Sequence, residues 1–489
     1  MTDTVRFIVN GADHAVRNPD PTLTVLDYLR GCAHLSGTKE GCAEGDCGAC
    51  TVVLAERAGE GVAYRAVNAC ILFLPALNGK ALITVEGLKG VDGGPHPVQR
   101  ALIDHHGAQC GFCTPGFVMA LYAHYRNGGA DDRASIDDAL AGNLCRCTGY
   151  GPIIKAARHL ADYPAPQEPP LRARLDAIAP TSLLALDHDC PIHRQRRRYF
   201  APTSLEALCA LAVQHPEAVV LAGGTDVGLW VTKQRRSLAT VIAIGGVADL
   251  TRITETDEAL IIGAGVRYDE AHRRLAALYP DFGEVIRRLG AAQVRNMGTL
   301  GGNIANGSPI GDSLPALIAL AAKIELRHGT KRRVLALEDY FISYGKQDCA
   351  PGEILTHIIL PKPRRGEEFH AYKVSKRFDQ DISALCGAFA FTIEGGRVAR
   401  ARIAFGGLAA TPKRAYACEA ALAGAPWTQA SIDKASAALD EDYQPISDLR
   451  ASAGYRLRVA RNLLKKAFLE STEPTLATRV LAPRGERHG

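Results

Sequence analysis

The 489-residue chain is poor in the features that would commit it to a membrane or to nucleic acid. No apolar run approaches the roughly 20 residues needed to cross a bilayer. The opening M-T-D-T-V-R-F-I-V-N holds neither an apolar signal core nor an Arg-rich amphipathic leader. A cytoplasmic location without membrane contact is the expectation. Net charge is only +5 and aromatic content 6%, and no clustered basic surface interleaved with stacking residues is visible, so nucleic acid is not an expected partner. Neither G-x-G-x-x-G nor G-x-x-x-x-G-K-[ST] occurs, which removes the Rossmann fingerprint and the P-loop. The sequence also lacks a Ser/His/Asp nucleophile motif and a zinc-protease helix, and no catalytic residue for chemistry on carbon is expected on this chain. What remains, 47% apolar and 22% charged, describes globular material of about three domains.

Cysteine is plentiful by contrast. Eight of fourteen fall into two quartets, Cys42, Cys47, Cys50 and Cys70, then Cys110, Cys113, Cys145 and Cys147. In a reducing compartment these read as metal ligands rather than disulfides, and the scattered remainder (Cys32, Cys190, Cys209, Cys349, Cys386, Cys418) as small buried apolar residues. The first quartet has the C-x4-C-x2-C…C spacing of a plant-type [2Fe-2S] centre. Four thiolates around two ferric ions leave net negative charge, so backbone N–H groups must come close, and Gly41, Gly45, Gly48 and Ala49 permit that approach. The second quartet, C-x2-C, thirty-one residues, then C-R-C, is too uneven for a common zinc ribbon; a second Fe–S centre is the expectation, with structural zinc the alternative.

Local patterns place these quartets. Val5, Phe7 and Val9 alternate before Asn10-Gly11, a type I′ turn signal, so the chain opens with a hairpin. Thr24 can cap a short helix, V-L-D-Y-L-R, and T-V-V-L-A, A-Y-R-A-V-N-A-C and L-I-T-V-E-G-L complete a small mixed sheet, the outline of a ferredoxin-like β-grasp over residues 1–88. Residues 89–165 read as four short helices, one starting with Thr114 as N-cap and Pro115 as first helical residue. The second quartet falls at helix starts there, where free N–H groups favour an anionic cluster. Residues 166–195, overlapping P-A-P-Q-E-P-P from Pro164 at one end and a basic run from His193 to Arg198 at the other, read as a linker, the run being a solvated face or a contact for phosphate or an acidic partner.

From 196 to 370 β/α alternation carries three Gly-rich turns, at 221–228, 262–266 and 298–313. Singly each is as much a turn as a site. Two long loops rich in Gly, Asn, Ser and Thr in one α/β region favour a pyrophosphate cradle, hence a bound dinucleotide. The last part, 371–480, reads as a closing α+β domain.

The order of plant-type cluster, helical C-x2-C…C-R-C cluster, L-A-G-G-T-D-V-G and T-L-G-G-N-I…S-P-I-G-D resembles the molybdenum hydroxylases over nearly the whole chain. That resemblance implies two [2Fe-2S] centres and FAD held by a domain of the vanillyl-alcohol-oxidase (PCMH) type, followed by a C-terminal flavoprotein domain like that of CO dehydrogenase. It implies FAD contacts at Leu221, Ala222, Gly223, Gly224, Thr225, Asp226, Val227 and Gly228, at Thr299, Leu300, Gly301, Gly302 and Asn303, and at Ser308, Asp312, Leu355 and Lys373. From the residues alone, the alternative for Asp312 is a helix N-cap and for Lys373 a surface lysine, and Leu355 reads as core. Leu289 stands where related chains often carry an aromatic residue. Tyr344 and Lys376 to Asp381 match the edge where NAD approaches the flavin. Since the chain stops where the flavin domain would stop, the resemblance implies an electron-transfer small subunit of xanthine dehydrogenase type. Its partner would be a molybdopterin-binding large subunit in an α2β2 heterotetramer, and its acceptor NAD. Electrons would pass from molybdenum through the second cluster, the first cluster and FAD. A stand-alone NAD(P)H-oxidising iron–sulfur flavoprotein, the small subunit of an aldehyde- or N-heterocycle-oxidising relative and a non-enzymatic Fe–S carrier are the other readings.

Overall fold

A computed structural model describes residues 1–90, 93–166, 170–190 and 194–479. They fall into two compact units, one formed by Met1–Leu211, Glu217–Ala248 and Gly290–Gly298, the other by Ala212–Pro216, Asp249–Leu289 and the chain from Thr299 onward.

The first unit opens with the expected hairpin: Thr4–Val9 pairs antiparallel with Ala12–Arg17 across Asn10 and Gly11, both at positive φ as a type I′ turn demands. The hairpin joins a five-stranded mixed sheet with Ala81–Ile83, Thr51–Ala58 and Gly61–Asn68. Alternation along Thr4–Val9 is exploited on both faces. Val5, Phe7 and Val9 enter one core with Val25, Leu26 and Leu29 of the short helical segment that Thr24 caps. Ile8 points into another, shared with the helices Pro97–Asp104, Thr114–Arg126, Arg133–Leu140 and Gly151–Arg158.

Three sequence expectations change here. Thr114 is already helical and Cys113 is the N-cap, its carbonyl accepting the Phe117 N–H at 3.2 Å. Pro115 is tolerated one position deeper than expected because the N–H groups of the first turn have no intrahelical partner to lose. The described residues of 166–195 hold regular structure rather than a linker. Arg172–Ala177 is helical, and Leu184–Cys190 buries Leu184 and Leu186 while pairing antiparallel with Gln195–Ala201. Third, Gln195 to Arg198 of the basic run belong to that second strand. Arg196 pairs with Asp187, buried Arg197 with Asp20 and Thr22 at 2.6 and 2.9 Å, and Arg198 with Thr240. No phosphate-binding role is needed to account for it. Gln167 to Pro169, His193 and residue 480 lie outside the described residues. Parallel strands Thr240–Ala243 and Val219–Leu221 complete this sheet.

The second unit holds a five-stranded antiparallel sheet in the order Ile253–Glu255, Ala259–Gly263, Ile354–Pro361, Lys323–His328, Lys331–Ala336. A four-stranded antiparallel sheet, Glu367–Val374, Leu385–Glu394, Arg397–Gly406 and Lys413–Arg414, is backed by Tyr416–Leu422, Gln429–Asp442 and Ala453–Thr472. No helix among the described residues is long and apolar enough to cross a membrane.

Beyond the last helix the chain is tied back by Arg479, which donates to Asp281 at 2.7 and 2.8 Å and to Glu470 at 2.7 Å. His370 lies in the same cluster, its Nδ1 3.4 Å from Glu470. Burial opposes protonation of the ring, but Glu368, Glu470 and Asp281 outweigh it and push His370 up to about 9. A raised folded-state pKa means the stabilisation is complete below the ordinary histidine value near 6.5 and is lost as pH rises through about 9. Wild-type melting temperature should therefore fall between about pH 6.5 and 9, reflecting on the order of 2–3 kcal/mol. His370→Gln should flatten that fall; parallel profiles for both proteins would show that the ring is not the titrating group.

Candidate functional site

The first quartet is assembled by a hairpin and a glycine-rich loop. Antiparallel pairing of Thr51–Ala58 with Gly61–Asn68 sets Thr51 opposite Asn68 and so brings Cys50 beside Cys70, with the Ala69 N–H on the Cys50 carbonyl at 3.2 Å. The loop before it turns through positive φ at Ala43, Gly45 and Gly48. That path aims the N–H groups of Glu44, Asp46 and Cys47 at Cys42 Sγ, each at 3.4 Å. Asn68 Nδ2 donates to the Gly45 carbonyl at 2.9 Å. A Cβ at Gly41 would stand 2.9 Å from Cys47 Sγ, so glycine is needed for the chain to pass the sulfur. Cys42 meets Cys47 and Cys70, and Cys50 meets Cys70; hydrogen bonds from Cys47 and Cys70 hold Cys42 well below the ordinary thiol range.

The second quartet meets as Cys113 with Cys145 and Cys110 with Cys147. Burial and the hydrogen bond to Cys145 push Cys113 up to about 12. Cys145 is fixed by Thr148, whose N–H and hydroxyl lie 3.5 and 3.1 Å from its sulfur, and its own N–H donates to the Tyr150 hydroxyl at 3.0 Å. Gly149 and Tyr150 both take positive φ just before the Gly151–Arg158 helix. Among the described residues no three cysteine sulfurs lie within 4.8 Å of one another. Tetrahedral zinc, with Zn–S near 2.3 Å, would draw four sulfurs to about 3.8 Å apart. The two thiol pairs of the second quartet instead suit a binuclear centre in which each iron takes two thiolates.

The cluster loops are joined directly. Leu144, next to Cys145, donates its N–H to the Cys47 carbonyl at 3.0 Å. Asn143 Nδ2 donates to the Gly48 carbonyl at 3.0 Å and to Thr51 Oγ1 at 3.2 Å, while its Oδ1 accepts from fully buried Gln293 at 2.8 Å. No spacing or periodicity marks Asn143 or Gln293 in the sequence.

The two expected flavin loops belong to different units. In the first unit, Leu221 to Gly228 leads from its strand into the Val227–Thr232 helix. A Cβ at Gly223 would strike the Met297 carbonyl, and one at Gly228 would lie 2.7 Å from the carbonyl of Ile71, which follows Cys70. At both glycines backbone meets backbone. Ala222 and Thr225 remain half-exposed, and Asp226 accepts from Trp230 Nε1 at 3.0 Å.

In the second unit, Thr299 caps the Leu300–Asn306 helix by accepting the Gly302 N–H at 2.9 Å, and buried Gly301 packs on Ala264. Asn303 accepts from Ser313 at 2.7 Å and Ser308 from the Ile310 N–H at 3.3 Å. Asp312 occupies the N-cap position of Ser313–Ala319 without capping it. Its carboxylate instead accepts from Lys373 and Ser383, each at 2.6 Å, and Lys373 is buried rather than on the surface. Leu355 lies in the core of the Ile354–Pro361 strand, and Leu289 packs partly buried on the same core. Tyr344 is exposed at a turn, and Lys376 to Asp381 form a loop in which the Arg377 N–H donates to Asp381 at 2.8 Å.

Four family models match in chain order: the 2Fe-2S iron-sulfur cluster binding domain over 7–74, the [2Fe-2S] binding domain over 84–158, the FAD binding domain in molybdopterin dehydrogenase over 194–363, and the CO dehydrogenase flavoprotein C-terminal domain over 370–471. Fold and cysteine geometry thus define an iron–sulfur flavoprotein with two [2Fe-2S] domains, a PCMH-type FAD-binding domain and a C-terminal flavoprotein domain. Xanthine dehydrogenase of Drosophila subobscura is 31% identical over 100% of this chain and 41% of its own length. Xanthine dehydrogenase/oxidase of Mus musculus is 33% identical over 83% of this chain and 34% of its own. A crystal structure of Cu,Mo-CO dehydrogenase in its cyanide-inactivated form is 30% identical with TM-score 0.52, covering 55% of this chain and 94% of that one. The chain belongs to the molybdenum hydroxylase family. It spans about two-fifths of the length of the curated relatives it matches.

Cys145→Ser should abolish one paramagnetic iron–sulfur signal and leave the plant-type signal; survival of both would remove Cys145 from the ligand set. Asp312→Ala leaves the Lys373 ammonium buried without its partner and should cost about 3–5 kcal/mol, against about 1 kcal/mol for Ser383→Ala, read by denaturant unfolding. Equal costs would show that the ion pair does not hold this site.

Proposed function

We propose that the chain is the electron-transfer subunit of a xanthine dehydrogenase, relaying electrons from a molybdopterin centre on a partner chain to NAD during hydroxylation of xanthine or hypoxanthine. The observation that carries this reading is the sequence of contacts within the first unit. The second cysteine quartet touches the first through Leu144 and Cys47, and the first touches the Leu221–Gly228 loop through Ile71. When bound, the two clusters supply one-electron steps, and FAD collects two electrons to release as a hydride.

The residues divide this task. The thiols of Cys42, Cys47, Cys50 and Cys70, and of Cys110, Cys113, Cys145 and Cys147, would hold the clusters, and the N–H groups on Cys42 Sγ would offset the first cluster's negative charge. Leu221 to Gly228, Thr299 to Asn303, Ser308, Asp312, Leu355 and Lys373 would hold FAD, and Tyr344 with Lys376 to Asp381 would receive NAD. Cys110 and Cys147 are exposed, and so are Phe112, Leu144 and Tyr150 within three residues of them in the chain. Exposed apolar side chains next to cluster ligands suit the docking of the molybdopterin-bearing subunit, in an α2β2 assembly in the cytoplasm.

The purified chain should hold about four irons, two per centre, and one FAD. Co-purified with a molybdopterin-bearing partner, it should support xanthine-dependent NAD reduction that the isolated chain lacks. Xanthine oxidation by the isolated chain would overturn the subunit reading. A fully metallated complex inert to xanthine but active on an aldehyde or another N-heterocycle would keep the relay and reassign the substrate.

A further inference from the structure

The Val227–Thr232 helix, which begins in the first flavin loop, ends at Lys233. The Lys233 ammonium donates to the carbonyl of Cys42 at 3.2 Å and pairs with Glu44 at 3.1 Å. Cys42 is also the thiol that gathers three backbone N–H groups from its own loop. A cation from the FAD-binding domain thus rests on a ligand residue of the other domain's cluster, a few bonds from its sulfur. Packing does not require this placement, since both side chains of the ion pair stay partly in water, 45% and 39% exposed.

We propose that Lys233 is a positioning residue that sets the reduction potential of the first [2Fe-2S] cluster, with Glu44 tempering it. The inference rests on the electron-transfer reading above. Reduction of the cluster adds one electron and no proton, so the centre gains one unit of negative charge. A fixed positive charge nearby stabilises that reduced form and raises the potential, and the Glu44 carboxylate opposes it. Because both charges are partly hydrated, the effect is moderate and depends on salt.

The test is a dithionite redox titration of the isolated, cluster-loaded chain, following each cluster's paramagnetic signal. Lys233→Met should lower the potential of the plant-type signal by three- to fivefold in the one-electron equilibrium constant, about 30 to 40 mV where tenfold is 59 mV. Lys233→Arg should restore it and Glu44→Gln should raise it, while the second cluster's signal stays in place. At about 1 M salt, where the screening length is near 3 Å, the Lys233→Met shift should shrink. Change below twofold in both the Lys233→Met and Glu44→Gln proteins, or equal shifts in both clusters, would overturn the proposal. Neither result would bear on the subunit reading, which is decided by xanthine turnover with the partner.

Discussion

The buried side-chain amide of Asn143 joins the two cysteine-bearing loops. Its Nδ2 ties the Gly48 carbonyl and Thr51 hydroxyl of the first cysteine loop, its Oδ1 accepts from Gln293, and the adjacent Leu144 N–H reaches Cys47. In a low-dielectric interior these bonds are strong, and breaking one strands a polar group away from water. A separation between cluster sites is thereby held by a satisfied network rather than by apolar packing, which tolerates small slips.

Crowded glycines serve the same end. Gly116 presses on the Gly48 carbonyl, Gly228 on Ile71 and Gly41 on Cys47 Sγ, so each junction along the proposed electron route is a place where a Cβ would force the chain apart. In the second unit the constraint is ionic. Asp312 and Lys373 are both buried and within 2.6 Å, an arrangement that is held only while both partners are present. That pair explains why Asp312 does not act as a cap: a buried ammonium competes for the carboxylate more strongly than a helix N–H does.

Much of this architecture was legible in local signals. The Asn10-Gly11 turn and the Thr24 cap each act over a few residues, and each appears where sequence reasoning puts it. The stretch between the helical and flavin domains misleads because prolines flank a short alternating strand, and the buried side of Leu184–Cys190 becomes recognisable only once Gln195–Ala201 pairs with it. Arg197 misleads similarly, as its partners Asp20 and Thr22 lie some 175 positions earlier.

The sequence by itself determined the kind of centre: thiols at those intervals, glycines beside them and two glycine-rich loops restrict the chemistry because ligand type and short-range backbone reach are set within a loop. Tertiary structure alone decided which of these loops meet. That Leu144 meets Cys47, Gln293 meets Asn143, Gly228 meets Ile71 and Lys233 meets Cys42 depends on backbone and side-chain groups far apart in the chain. Such pairings carry no local pattern, since any donor of the right reach could have served, and only the packed fold selects which one does.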